Sequence, residues 1–281
     1  MKILKGAEVS AKIKEQVTQM MEGLEGPAPK LAIVRVGEKP DDMSYERGAV
    51  KKDGELRPAG QTYVFPEQIS DSDFKAEFSA INRDPDVSGI LLLRPLPKQI
   101  AETDIEKMID PEKDLDGISP ANNCQGICRG QNRFCACTAE AVIEVLKANE
   151  IDITGKNVTI VGRSMVVGRP LSMLMLKENA TVTICHTRTR DLETECRRAE
   201  ILVAAAGKAK MLDGRHVGQD AIVIDVGINV DENGKLCGDV DFPSIEPLAS
   251  MATPVPGGVG AVTTAVLAKH LVLAGRRQRG N

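Results

Sequence analysis

The chain has 281 residues, a formal net charge of −4 and 42% apolar residues. That length and composition suit one large domain or two ordinary ones with a sizeable core, and exclude a disordered chain. The acidic balance argues against a nucleic-acid partner. No apolar run reaches the ~18 residues of a membrane span, and the opening MKILKGAEVSAKIKEQ has no apolar core of signal-peptide length, so a cytosolic protein is expected.

In chain order, residues 6–24 predict an amphipathic helix with Val9, Ile13, Val17, Met20 and Leu24 on one face. The apolar run Leu31–Val36, ended by Gly37, predicts a buried strand. Asp41–Lys52 predicts a polar helix, Asp53–Gly60 a loop and Gln61–Phe65 a strand. A helix over Ser72–Asn82 leads to a buried strand, Ser88–Leu93, stopped by the turn Pro95-Leu96-Pro97. A second block starts near Thr138. It predicts helix 138–149, strand 157–161, helix 168–178 and strands 180–185, 201–205 and 221–226. The last helix, about 260–275, follows the Pro/Gly-rich loop Thr253–Gly260. Alternating helices and strands predict an α/β fold with mostly parallel sheets. Four short strands in the second block fit a Rossmann-like dinucleotide-binding half-fold. Two lobes with a cleft between them are therefore expected, the cleft being the default ligand site.

Chemistry concentrates first at Val161–Pro170, VGRSMVVGRP, where a strand meets a helix. Gly162 allows a tight turn, Gly168 allows close packing, and the helix start offers N–H groups to a pyrophosphate. Ser164 stands where the second glycine of G-x-G-x-x-G belongs, so as a generic signal the loop equals an ordinary strand–helix turn. The next strand ends in His186-Thr187-Arg188-Thr189-Arg190, where NAD enzymes commonly carry an acidic residue for the ribose hydroxyl. Arginines here, with Arg163, suit a 2′-phosphate and favour NADP over NAD; a solvated basic turn is the bland alternative. His186 reads as structural. The seven cysteines read as free thiols. Cys124, Cys128, Cys135 and Cys137 cluster, but their spacing matches no zinc pattern and no histidine lies nearby, so no metal site is expected.

Taken together, GRSMVVGRP, CHTRT, DVGIN (225–229), GDV (238–240) and TPVPGGVGAVT (253–263) resemble the methylenetetrahydrofolate dehydrogenase/cyclohydrolase family. RVGEKPDDMSY (35–45), RPLP (94–97) and PEKDLDG (111–117) extend the resemblance over nearly the whole chain. It implies a folate-binding domain over residues 1–137, completed by the C-terminal helix 255–281, and a nicotinamide-binding domain over 138–254. It also implies a homodimer, with tetrahydrofolate one-carbon derivatives as substrates. By resemblance, Gly162, Arg163, Ser164, Thr187, Arg188 and Ile228 line the cofactor. Tyr45 and Asp116 contact the pterin end of the folate, and Leu93, Pro256 and Gly257 lie at the substrate.

The chain departs from the family where hydrolysis is carried out. Members with both activities have Tyr-x-x-x-Lys, whereas Ala49 holds the lysine position here; Leu93 stands where they have glutamine. Hydride transfer from methylenetetrahydrofolate needs positioning and electrostatics more than a proton carrier, whereas hydrolysis of the methenyl cation needs a tuned acid–base group. The expectation is an NADP-dependent methylenetetrahydrofolate dehydrogenase with weak or absent cyclohydrolase activity. Three alternatives stay open: a bifunctional enzyme using Lys52, which returns to the face of Tyr45 on a helix; a dehydrogenase for another small carbon acid; and a non-catalytic nucleotide-binding homologue.

Overall fold

The computed structural model describes residues 1–38, 59–123 and 134–280. The helix expected over 41–52 and most of the loop expected over 53–60 therefore lie outside the described residues, as do Tyr45, Ala49, Lys51, Lys52, Cys124 and Cys128. The chain divides into two compact units, one of Met1–Lys12 with Thr138–Thr263 and another of Ile13–Cys137 with Thr264–Asn281.

The first unit is built on a six-stranded sheet in which every neighbouring pair is parallel. Its strands are β1 (Lys2–Ile3), β5 (Asn157–Val161), β6 (Thr181–Cys185), β7 (Ile201–Ala204), β8 (Ile222–Asp225) and β11 (Met251–Ala252). The spatial order is β1-β11-β8-β7-β5-β6. The sheet thus has two strands more than expected: β1 and β11 are two residues each and carry no pattern of their own. They exist because Lys2 and Ile3 pair with Met251 and Ala252, which pair in turn with Ile222 and Val223. The central strands are mostly apolar because helices cover parallel sheets on both faces: β7 reads ILVA, and Ile160, Leu202 and Val203 are fully buried. An antiparallel pair, β9 (Asn229–Val230) with β10 (Leu236–Cys237), stands apart from the sheet.

The other unit holds three parallel strands in the order β3-β2-β4: β2 (Lys30–Val36), β3 (Ala59–Phe65) and β4 (Val87–Leu92). Strand β3 starts at Ala59, inside the segment expected to be loop, because its first residues pair with Lys30 and Leu31. Helix α2 (Asp71–Arg83) begins where Ser70 Oγ accepts the Asp73 N–H, at 3.1 Å, and buries Phe74, Phe78 and Ile81. Those three pack with Ala32, Val34, Ile90 and Leu92 in one core cluster. A short helix that the sequence pattern did not announce, α3 (Glu102–Met108), adds Ile105 to the same core.

The division falls within α1 (Gly6–Glu22), at the start of α4 (Cys137–Ala148), and within the last helix, Gly260–Gln278. Among the described residues no helix is long and apolar enough to cross a membrane.

Candidate functional site

In the first unit the expected cofactor residues gather at the carboxyl ends of the strands. Strand β5 has β6 on one side and β7 on the other, so the chain order reverses there. A crevice at such a switch point is where open α/β sheets take ligands. Gly162, at φ +137, lies so close to β7 that a Cβ would collide with the Ala205 carbonyl oxygen. Gly168 opens helix α5 (Gly168–Lys177), and a Cβ there would collide with the Gly162 carbonyl. Ser164 replaces a glycine but does a job of its own: its Oγ accepts the Val167 N–H at 3.1 Å, and its carbonyl accepts the Arg169 N–H at 3.0 Å. The N–H groups of Met165, Val166 and Gly168 have no protein partner among the described residues. A turn of open amides at a helix start is an anion cradle.

The end of β6 is shaped by its own side chains. His186 N–H donates to Thr189 Oγ1 at 2.8 Å, and His186 Nδ1 accepts the Arg188 N–H at 3.1 Å. His186 is therefore a turn-former. Thr187, Arg188 and Arg190 are left exposed, as is Arg163 on the neighbouring loop. None of the three arginines makes an ion pair with a described residue, which leaves an open cationic fork beside the cradle. The residues present fit a phosphorylated dinucleotide.

Ile228, Pro256 and Gly257 come together around a cavity of about 210 Å³ that Asp225, Gly227 and Pro254 also line. Ile228 is 68% exposed, an apolar surface offered to a ligand face. Two buried aspartates that sequence reasoning did not single out hold this region. Asp225 accepts the N–H groups of Gly227, Asp239 and Val240, each at 3.0 Å. Burial pushes its carboxyl up to about 6 despite those donors. Asp239 accepts from Ala206, Gly207 and Lys208 N–H at 2.6, 3.0 and 2.8 Å, and from Asn229 Nδ2 at 2.9 Å. The DVGIN and GDV motifs are thus a brace that ties the ends of β7 and β8 together.

In the other unit, Asp116 and Leu93 are the expected site residues that the structure describes. The segment carrying Asp116 runs beside β4: Ile90 N–H donates to the Lys113 carbonyl, and Ile90 bridges Asp114 in parallel. Asp114 is itself buried and shapes the turn. Its carboxylate accepts the N–H groups of Ile118 and Ser119 and the Asn122 side-chain amide, at 3.0, 2.8 and 3.1 Å. Asp116 is half-buried. Its Oδ1 accepts the Cys137 N–H at the start of α4, at 2.8 Å, while no backbone N–H of the described residues reaches Oδ2. Burial raises its carboxyl above the ordinary range, opposed by the Cys137 donor and by the Arg94 cation. Leu93 is buried and apolar, with nothing to donate. Cys135 and Cys137 are also buried; among the described residues no cluster of histidine, cysteine and carboxylate side chains could hold a metal ion.

A parallel sheet with an anion cradle at its switch point in one unit, and a half-buried carboxylate in a second α/β unit, define a two-domain α/β protein of the dinucleotide-binding class. Comparison with known proteins narrows this. Residues 136–279 match the tetrahydrofolate dehydrogenase/cyclohydrolase NAD(P)-binding domain, and residues 4–116 match the catalytic domain of the same family. The chain is 48% identical over 278 residues to the bifunctional protein FolD of Clostridioides difficile, covering 98% of this chain and 97% of that one. The crystal structure of the bifunctional FolD dehydrogenase/cyclohydrolase of Campylobacter jejuni superposes with a TM-score of 0.92 at 37% identity, over 99% of each chain. That of Trypanosoma brucei FolD, complexed with NADP and an inhibitor, gives 0.89 at 30% identity, over 98% of this chain and 96% of that one. The chain belongs to the tetrahydrofolate dehydrogenase/cyclohydrolase family.

Proposed function

We propose that the protein oxidises 5,10-methylenetetrahydrofolate to the 5,10-methenyl form with NADP and then hydrolyses that product, as a bifunctional enzyme. The expectation of weak or absent hydrolysis gives way to this reading. A relative 48% identical over nearly its whole length is named bifunctional, as is the Campylobacter jejuni neighbour. The structural observation that carries the dehydrogenase half is Asp116, a half-buried carboxylate held by Cys137 and reached by no other backbone donor among the described residues.

In this reading Asp116 holds the pterin end and its negative charge favours the cationic amidinium product; no proton has to leave in that step. NADP supplies the hydride acceptor when bound. Gly162 and Gly168 let the backbone close around its pyrophosphate, Ser164 fixes the turn, and Arg163, Thr187 and Arg188 take the 2′-phosphate. Ile228, Pro256 and Gly257 offer an apolar wall. NAD in place of NADP is the outcome to test against. Tyr45 is a further pterin contact. Lys52 is the candidate acid–base group for hydrolysis; both lie outside the described residues. The homodimer is part of the proposal and is checked by sedimentation.

A dehydrogenase without the second activity is favoured by one specific observation, the pair Ala49 and Leu93 in place of lysine and glutamine. The experiment mixes the purified protein with methylenetetrahydrofolate and NADP or NAD, following reduced nicotinamide and methenyltetrahydrofolate separately. The bifunctional reading predicts reduced cofactor without accumulating methenyl product, and loss of the second step alone in K52M. Methenyl product rising in step with reduced cofactor favours the dehydrogenase-only reading. No reduction with either cofactor overturns both.

A further inference from the structure

Arg94 follows Leu93 on the loop that leaves β4, and its surroundings are unusual for a surface cation. The side chain is only 16% exposed. Its Nη1 is paired with Glu106 Oε1 at 3.1 Å and, more loosely, with Glu102 Oε1 at 3.4 Å, both on α3. Glu102 also accepts the Leu96 N–H at 2.8 Å, which locks the loop against the helix. A guanidinium carries five N–H donors in a rigid fork, and a buried one left partly unpaired is costly. Here the anchoring contacts use Nη1; Nε and Nη2 have no partner among the described residues.

The strand geometry says what lies beside it. Ile90 and Asp114 are bridged in parallel, so Asp116 comes level with the end of β4, and Arg94 emerges at that same edge. The Arg94 cation is near enough to pull against the upward push that burial exerts on Asp116. One edge therefore carries an acceptor, Asp116 Oδ2, and a planar donor, the open side of Arg94. Leu93, between β4 and Arg94, contributes no polar group.

We propose that Arg94 is a substrate-binding residue whose open guanidinium edge donates to the ring carbonyl of the pterin, while Asp116 accepts from the adjacent N–H edge. A 2-amino-4-oxopyrimidine ring presents that donor and acceptor pattern side by side. The inference rests on the reading of Asp116 as the pterin anchor, and it makes Arg94 the residue that selects the oxo form of the ring.

The test is equilibrium binding of tetrahydrofolate and of its 4-amino analogue, in which an amino donor replaces the carbonyl acceptor. Wild-type protein, R94K, R94L and E106Q are compared, each with its thermal midpoint. Wild type is expected to prefer the oxo ligand by about 10- to 100-fold, the usual worth of one charge-assisted hydrogen bond. R94K can keep an ion pair with Glu106 but loses the planar edge, so its preference falls at least about tenfold below that of wild type with little change in midpoint; the part that remains belongs to Asp116, since N3 of the 4-amino ring carries no hydrogen. R94L does the same with some loss of stability. E106Q keeps the preference. The proposal is overturned if R94K and R94L retain the wild-type preference, or if both ligands weaken equally in R94L and E106Q as stability drops, which marks a structural ion pair only. Should wild type bind neither ligand, the reading of Asp116 fails and the role of Arg94 with it.

Discussion

The two units use buried carboxylates in opposite ways. In the unit with the six-stranded sheet, Asp239 has four donors and Asp225 three, and both are buried beneath the loops they tie together. In the three-stranded unit, Asp114 is filled in the same manner, but two residues further on Asp116 is held by Cys137 alone and is only half-buried. A saturated carboxylate sets backbone geometry; an unsaturated one at the surface of a core is available to a ligand. Residue type alone does not separate these cases, since PEKDLDG contains both.

The contrast is broken most severely at Asp239. D239A takes the buried acceptor away from the N–H groups of residues 206–208 and from the Asn229 amide, and the expected loss is about 2–4 kcal/mol of stability, read from denaturant midpoints. A loss below about 1 kcal/mol would mean that the brace is not a framework. Asp225 gives a pH-dependent version of the same test. In the folded chain its proton is held up to about pH 6, whereas an ordinary aspartate releases it near 3.8. The folded state therefore binds more protons across that window, so this group's contribution to stability falls as pH rises from about 4 to about 6 and is level above. The loss is on the order of 3 kcal/mol. Denaturation of wild type and D225N across that range should show a slope difference of this sign; parallel curves would remove Asp225 as its source.

Gly168 sharpens the comparison from the cofactor side. G168A forces a Cβ against the Gly162 carbonyl, and the expected cost is about 1–3 kcal/mol. Dinucleotide affinity, read by equilibrium titration, should fall with it; unchanged affinity would remove the Gly162–Gly168 turn from the cofactor site. The smallest effect is expected at Arg188. R188A should lower the preference for NADP over NAD by about tenfold, one exposed charge-assisted contact, measured as the ratio of kcat/KM values. An unchanged ratio would place the 2′-phosphate elsewhere.

How far the sequence alone reaches follows from the same physics. The buried strands LAIVRV and SGILLL were readable because parallel strands covered on both faces are continuously apolar. The VGRSMVVGRP turn was readable because glycine marks places where backbone meets backbone. Strands β1 and β11 were not, since two-residue strands exist only through their neighbours. Helix α3 is not legible in the sequence because it is short, has no side-chain cap and buries Ile105 alone. The hairpin of β9 and β10 is marked in the sequence only by its Asn233-Gly234 turn, since its strands are two residues each. In the candidate site, GDV is recognisable as a motif, but the role of Asp239 is not, because its three backbone partners lie more than thirty residues away. Arg94 read as part of RPLP; only the pairing with Glu102 and Glu106 shows which side of its guanidinium is left open.

The most direct measurement pairs turnover with stability in D116N. The substitution removes the charge of the open carboxylate and leaves its shape. The account predicts that dehydrogenase kcat/KM for methylenetetrahydrofolate falls about 10²- to 10³-fold, with the KM for NADP and the thermal midpoint close to wild type. Turnover near the wild-type level, or a loss that merely follows a fall in stability, would contradict the assignment of Asp116 as the ligand-facing carboxylate of the protein.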